Sequence, residues 1–338
     1  MNKHTVIGLD IAKQVFHLMK IDHRGADLQR KKLRRSQVLR YFAQHEPACI
    51  AMEACGGAHY WARELQAQGH RVELLPARYV KGYARGQKND YNDARAIAEA
   101  SLHGSIRPVV VKTVAQQDTQ AVHRCRQQLV RERTALCNQL RGLLTEYGIV
   151  MPRGVASLRQ HLVAVLASGA LTPLLRCVLE RQYRRLRALD EELAWYDQQL
   201  KQQASEDPVC QRLCAVPGYG PVVSTAFKSW LGDGSQFRRG RDASAALGVV
   251  PRQHTSGDKP RLLGITKHGD GYVRTLMIQG ARSVVCAAAH KTDALSQWIN
   301  RLVASRGFNK AVVALANKLI RIGWVIVCRG ESYRPYPA

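Results

Sequence analysis

Apolar residues follow two different rhythms along the chain. Between Thr5 and Leu75 they come in short runs: Thr5–Asp10, the partly alternating Val15–Ile21, Cys49–Glu53 and Arg71–Leu75. Runs of this length, closed by turn residues such as Asp22-His23-Arg24-Gly25, predict strands. Leu28–Arg35 reads as a third, edge strand guarded by Arg30, Lys31, Lys32, Arg34 and Arg35. Ser36 suits the N-cap of a helix through His45. His59–Gln68 reads as a helix stopped by Gly69, and Asp90–His103 as one ending at Gly104. Three strands followed by alternating helices and strands is an α/β order.

From Val114 the period lengthens. Val122, Cys125, Leu129, Leu136, Leu140, Leu143 and Tyr147 fall at helical steps, and Leu175, Leu179, Leu186, Leu189, Leu193, Tyr196 and Leu200 repeat the spacing. A long helical hairpin or coiled-coil arm and two ordinary bundle helices fit this spacing equally. Asp207-Pro208 opens a last region rich in Gly turns, short helices and basic residues. Trp324-Val325-Ile326-Val327 reads as late core, and the tail from Tyr333 as loose. The expected organisation is an α/β domain over 1–112, a helical arm over 113–205, a mainly helical domain over 206–330 and a tail over 331–338.

Charge narrows the partners. The chain of 338 residues carries 51 Lys+Arg against 26 Asp+Glu, a net charge of +25. Such a field attracts polyanions independently of sequence, and arginine pairs bidentately with phosphate. A merely soluble basic protein shares that charge, and an anionic membrane could attract it, but no basic amphipathic anchor stands out. Nine cysteines without a CxxC pair argue against a zinc ribbon and for a reducing compartment, most of them reading as small core side chains. The amino terminus runs straight into a strand pattern and no stretch reaches the apolar length of a membrane span, so the expected location is the cytoplasm.

Four carboxylates stand out against this background. Asp10 and Glu53 end apolar runs, and Asp90 and Asp93 sit three apart at the start of a helix. If the two strands are neighbours, Asp10 and Glu53 reach the same sheet edge, and Asp90 and Asp93 share one helix face. Like charges so placed repel unless a cation lies between them. Singly, each has a plainer role as turn former or helix-start residue. Jointly they favour a site for Mg²⁺ or Mn²⁺, able to stabilise the oxygens of a phosphodiester.

The arrangement resembles the ribonuclease-H-like fold of Holliday-junction resolvases, a RuvC-like domain. More specifically, Gly8-Leu9-Asp10-Ile11-Ala12-Lys13, Met52-Glu53-Ala54-Cys55-Gly56-Gly57-Ala58-His59 and Lys88-Asn89-Asp90-Tyr91-Asn92-Asp93-Ala94 resemble the signature of the DEDD transposases of bacterial insertion sequences, family number 110. The Cys-Gly-Gly-Ala-His version resembles its subgroup number 1111. The likeness covers both ends of the chain, while the middle helices match in character only.

Two C-terminal stretches then gain meaning. Val216-Pro217-Gly218-Tyr219-Gly220-Pro221 reads either as a helix–hairpin–helix turn, offering backbone N–H groups of Gly218 and Gly220 to phosphate, or as a plain helix corner. Residues 251–257 read as a polar loop carrying Thr255 and Ser256 beside Arg252, His254 and Lys259. By spacing alone this is a flexible Ser-Gly loop. The resemblance implies instead that Ser256, in its Pro-Arg…Ser-Gly setting, is the nucleophile that attacks DNA; Thr255, Ser244 and Ser235 are its competitors. Lys88, Arg252, Lys259, Lys267, His268 and Arg274 are candidate phosphate contacts, and Asp270 reads as a helix-start acceptor. Thr266 and His268 stand where the family often has serine and arginine.

The resemblance thus implies a Mg²⁺-dependent DNA recombinase that moves an insertion sequence through a covalent phosphoserine link. It also implies guidance by a structured noncoding bridge RNA, and multimers in which the serine domain of one protomer meets the carboxylate domain of another. Nucleoid association in a bacterial cytoplasm follows from that reading. The competing readings are a structure-specific RuvC-like endonuclease using metal-activated water, and a non-catalytic nucleic-acid-binding protein.

Overall fold

The computed structural model describes residues 5–87, 89–104, 106–257 and 259–335. The chain divides into two compact units, 1–114 and 115–338.

The first unit is built on strands β1 (Val6–Ile11), β2 (Val15–Ile21) and β3 (Asp27–Arg34), helix α1 (Val38–Ala43), strand β4 (Cys49–Glu53), helix α2 (Ala58–Ala67), strand β5 (Arg71–Leu75) and helices α3 (Ala77–Val80) and α4 (Asp90–Leu102). The sheet order is β3-β2-β1-β4-β5. The first three strands run antiparallel, whereas β4 and β5 run parallel to β1. The Asp22 carboxylate sets the β2–β3 turn by accepting from the Arg24 and Ala26 N–H groups, both at 2.8 Å. The predicted basic strand β3 is at the edge, exposed at every position except Leu33.

Side chains alternate across the strands, so the sheet has two cores. Ile7, Leu9, Phe16, Leu18, Ile50 and Met52 pack against Val38, Phe42, Trp61 and Leu65 of α1 and α2. Val6, Met19, Ile21 and Ala51 face Ala94, Ile97 and Ala98 of α4. Each fully buried large side chain contributes roughly 1.5–3 kcal/mol. Gly8 points to the α4 side, where an added Cβ would lie 2.7 Å from the Ala98 nitrogen and closer still to the Ala94 carbonyl oxygen. The missing side chain and the small Ala94 and Ala98 let α4 lie directly on β1. Ser36 is not the N-cap of α1: residues Arg35–Gln37 form a 3₁₀ turn and Gln37 takes the cap position.

The second unit contains α5 (Val114–Thr145), α6 (Val155–Ala167), α7 (Pro173–Glu206), α8 (Pro208–Cys214), α9 (Pro221–Leu231), α10 (Gly240–Ala246), strands β6 (Pro251–Ser256) and β7 (Lys259–Ile265), and helices α11 (Gly271–Ala288), α12 (Ala294–Arg306) and α13 (Phe308–Arg329). Helices α5 and α7 pair antiparallel. Leu136, Leu140 and Leu144 pack with Leu175, Leu179, Leu186 and Leu189. The pairing is flanked by Arg126–Asp197 at 2.6 Å and by Asp190, which takes Arg133 and Arg159, each at 3.0 Å. The α5 end is tied to the remaining helices by buried His123, whose ring nitrogens lie 2.9 Å from the Tyr272 hydroxyl and 3.0 Å from Thr225 Oγ1.

A separate helical core gathers Phe227, Leu247, Met277, Ala281, Leu315, Leu319 and Ile320. Trp324 belongs to it, as the sequence suggested, and Tyr333 packs against it. Residues 336–338 of the expected loose tail lie outside the described residues. Two sequence readings need correction. Helix α13 is long and apolar enough to span a bilayer, with mean hydropathy 1.8, but half of that stretch is buried inside the helical core. Of the nine cysteines, Cys137 and Cys210 alone are buried, and all nine are free thiols.

Candidate metal centre and serine hairpin

Register places the first pair of carboxylates. Leu9 lies beside Met52 in the parallel β1–β4 ladder, so Asp10 and Glu53 follow at adjoining strand ends. Asp10 is two residues from Gly8 and Glu53 two from Ala51, so both are on the face that α4 covers. Asn89 caps α4, its side-chain oxygen accepting from the Tyr91 N–H at 2.9 Å, which sets Asp90 and Asp93 in the first turn.

The electrostatics bind the four into one group. The Asp10 carboxyl is pushed up to about 6, first by burial, then by the charges of Asp93 and Asp90, with Glu53 adding to it; His17 works in the opposite direction. Donor atoms of Asp10, His17 and Asp90 lie within 4.8 Å of one another. Glu53 and Asp93 are not in that tightest grouping. Asp10 has the metal-site character of a carboxylate held among like charges, and the donors are mainly hard oxygens. The residues therefore fit a divalent ion such as Mg²⁺ or Mn²⁺.

His17 is the participant that sequence reading missed. It is buried on β2, directly opposite Asp10 in the antiparallel register. Its Nδ1 is 3.3 Å from an Asp90 oxygen, and its ring meets Tyr91 edge-on at 4.9 Å. Only the strand pairing reveals this. In the sequence, His17 is one polar residue in an alternating strand.

Ser256 belongs to the other unit. Residues 251–257 are not an irregular loop: β6 and β7 form an antiparallel hairpin in which Ser256 pairs with Lys259 beside the turn at Gly257. Every described β6 side chain is exposed, Arg252 and Ser256 included. Among the described residues, no hydrogen bond holds the Ser256 hydroxyl. Thr255 accepts from Gln253 Nε2 at 2.8 Å. The competitors are engaged elsewhere: Ser244 is fully buried and donates to the Gly240 and Asn317 carbonyls at 3.3 Å, and Ser235 bonds Asp233.

The hairpin's root is firmly built. A Cβ on Gly248 would collide with the His268 backbone, and one on Gly269 with the Ala246 carbonyl. Lys267 adopts the left-handed conformation at φ 56° and donates its N–H to the Gly248 carbonyl at 3.0 Å. Arg274 Nη1 donates to the carbonyls of His268 at 2.7 Å and Leu247 at 3.1 Å, so this candidate phosphate ligand clamps backbone. Asp270 caps α11 by accepting from the Tyr272 and Val273 N–H groups. The side chains of Lys267 and His268 are exposed. Lys88 and the Lys259 side chain lie outside the described residues.

Gly218 has φ 91° and meets Gly280 backbone to backbone; a Cβ on either would press on the other's carbonyl oxygen. Its role is thus to seat the α8–α9 turn against α11. Gly220 precedes α9, which opens on Pro221 and so lacks one of the N–H groups an anion turn would use.

Comparison with known proteins finds relatives for both halves of the chain. Residues 7–149 match the DEDD model of IS110, described as Transposase, and residues 210–297 match the Transposase IS116/IS110/IS902 family. A Pseudomonas aeruginosa protein named "Probable family 20 transposase" is 46% identical over 97% of this chain and 98% of its own. The transposase for insertion sequence element IS1111A of Coxiella burnetii is 44% identical over 99% of this chain and 92% of its own. The corresponding IS1328 protein of Yersinia enterocolitica is 37% identical over 97% and 98%.

Proposed function

This chain belongs to the IS110 family of insertion-sequence transposases, and on that premise we propose that it cuts and rejoins DNA through a serine-linked intermediate. The observation that carries the reading is the grouping of Asp10 and Asp90 with His17 at the end of β1, with Asp10 raised by burial and by the charges of Asp93, Asp90 and Glu53. In this reading the first unit is a ribonuclease-H-like domain, supported by its antiparallel hairpin strands continued by parallel β4 and β5.

Asp10, Glu53, Asp90 and Asp93 would hold a divalent cation, and the ion would supply charge stabilisation to the scissile phosphate and leaving oxygen. His17 orients Asp90, across from Asp10. Ser256 is the nucleophile: its hydroxyl loses a proton to a base of the assembled site, Oγ bonds to phosphorus, and the phosphorus–oxygen bond to the leaving strand breaks. The departing oxygen takes up a proton. Rejoining reverses these changes, with an incoming strand hydroxyl displacing Oγ, so the phosphodiester energy is kept. Exposure of Ser256 on a projecting hairpin suits a group that must reach a large substrate. Arg252, Lys259, Lys267 and His268 are the phosphate contacts of this reading; Arg274 serves them by fixing the hairpin root.

The Cys-Gly-Gly-Ala-His form supports placement with the IS1111-type members, and the IS1111A relative agrees in name. A structured noncoding RNA selects the DNA by base pairing, a role that a net charge of +25 suits. The working species is a multimer in which Ser256 and the carboxylates meet at one DNA phosphorus.

The test is denaturing electrophoresis of the protein with end-labelled element DNA and Mg²⁺. Ser256→Ala is expected to abolish the protein-linked band while DNA binding stays near normal. Persistent linkage removes Ser256 from the chemistry. Asp10→Asn is expected to lower metal-dependent cleavage by about 100-fold or more, and full activity without divalent metal rejects the carboxylate site. Sequencing RNA that co-purifies with the protein tests guidance: a single structured species is expected, and bulk cellular RNA counts against it.

A further inference from the structure

The second unit carries a basic groove with no part in the chemistry above. It lies along α13, between the start of α10 and residues 331–334, and encloses about 1190 Å³. Arg239, Arg241, Lys318, Arg321 and Arg334 line it. Among the described lining residues Glu331 is the single acid, and it sits 3.7 Å from Arg329.

These cations are placed by the fold. Gly240 lets α10 touch α13, where an added Cβ would stand 3.1 Å from Arg321 Cα, so Arg239, Arg241 and Arg321 leave neighbouring backbone and reach solvent. Lys318 is held over the Trp298 ring, 4.8 Å from its centre. Trp298, Ile322 and Val325 give the groove an apolar wall. The four arginines on one concave surface, Arg239, Arg241, Arg321 and Arg334, repel one another, a cost that a run of phosphates relieves. The volume exceeds the roughly 300–1,000 Å³ of small-molecule pockets, so a chain suits it better than a free anion. A charged track beside an aromatic and aliphatic wall is the usual means of holding unpaired strands, with phosphates on the cations and bases on the wall.

We propose that this groove binds a single strand of DNA. The proposal rests on DNA being the partner of the family and is independent of the serine chemistry.

The test uses the full chain in chelator, so neither cleavage nor attachment contributes, and follows fluorescence anisotropy of a labelled oligothymidine of about 20 nucleotides. The paired variant Arg241→Gln with Arg321→Gln is expected to bind about tenfold more weakly, and its slope of log affinity against log salt to fall by about 1.4 for two lost phosphate contacts. A control with the same charge change on exposed α7, Arg184→Gln with Arg185→Gln, stays within about twofold of the parent. Arg239→Gln with Arg334→Gln, both outside helices, repeats the measurement should the first pair unfold. The proposal is overturned if the groove variants keep the parent's affinity, or if the control loses as much. It is also overturned if the loss is confined to duplex DNA or to RNA of the same base composition. A Ser256→Ala protein that binds the strand normally separates this result from the fate of the serine mechanism.

Discussion

The proposed cation site and the proposed nucleophile differ in how much of the fold stands behind them. In the first unit Asp10 and Glu53 sit at strand ends and Asp90 and Asp93 in the first turn of α4, and their spacing follows from a ladder register and a helix seated on Gly8. Ser256 hangs on β6, a hairpin strand with no buried position, although the hairpin's root is clamped by Arg274, Gly248 and Gly269. A cation site of like charges must be held by structure because its members repel. A nucleophile that attacks a bulky polymer needs reach, and its geometry can be completed by the substrate. Changes near the carboxylates should therefore alter stability and chemistry together, while changes at the hairpin tip should alter chemistry alone.

The strongest test of that difference is Gly8→Val. A side chain there meets the α4 backbone, which cannot yield as a flexible side chain would, and the expected loss is about 3 kcal/mol or more, read by chemical denaturation. A variant of normal stability would show that α4 is not seated on β1 as described.

The second test probes the helical unit away from its hairpin. Burial, with Arg126 nearby, lowers the His123 imidazole to about 4, so the folded chain keeps it neutral while the unfolded chain binds a proton near 6.5. Below about pH 6.5 the unfolded state takes up more protons, and stability falls as the pH drops toward 4, by about 3 kcal/mol at most. His123→Asn should flatten that slope in denaturation measured across the window. An unchanged slope would assign it to other groups.

A smaller and opposite effect is expected at Asp10. Removing its charge with Asp10→Asn relieves repulsion, so the metal-free protein should gain about 1 kcal/mol after allowance for solvent screening, even as cleavage is lost. Thermal melts in chelator check the sign, and a destabilised Asn variant would mean that the cluster is not repulsive. The smallest effect belongs to Ser256→Ala, within about 0.5 kcal/mol of the parent, because an exposed hydroxyl at the hairpin tip is replaced. A larger loss would show that the hairpin is held by its tip.

What was readable in the sequence follows the same divide. Strands β1, β2, β4 and β5 and helices α2, α4, α5 and α7 were legible because one-sided burial writes a period of two or of 3.6 into the chain. Asp10 and Glu53 stood out because they end apolar runs, and Asp90 and Asp93 because they lie one helical turn apart at a helix start. His17 was not, since its partnership with Asp10 exists only through pairing register. The β6–β7 hairpin was read as a loop because, among the described positions, neither strand has a buried residue to write an alternation into the sequence. Arg274 was read as a phosphate ligand because composition cannot distinguish an arginine aimed at solvent from one folded back on carbonyls. The glycines in Val-Pro-Gly-Tyr-Gly likewise suggested anion binding, whereas Gly218 answers to Gly280, about 60 residues downstream.

That last contact has an evolutionary reading. Each of the two glycines occupies the room a replacement of the other would need, so neither can drift first without harm, and a double change must arrive at once. Such a pair is expected to outlast the activity of the protein that carries it. In a decayed copy of this gene, its survival would testify to a chain still selected to fold, while saying nothing about whether that copy can still move.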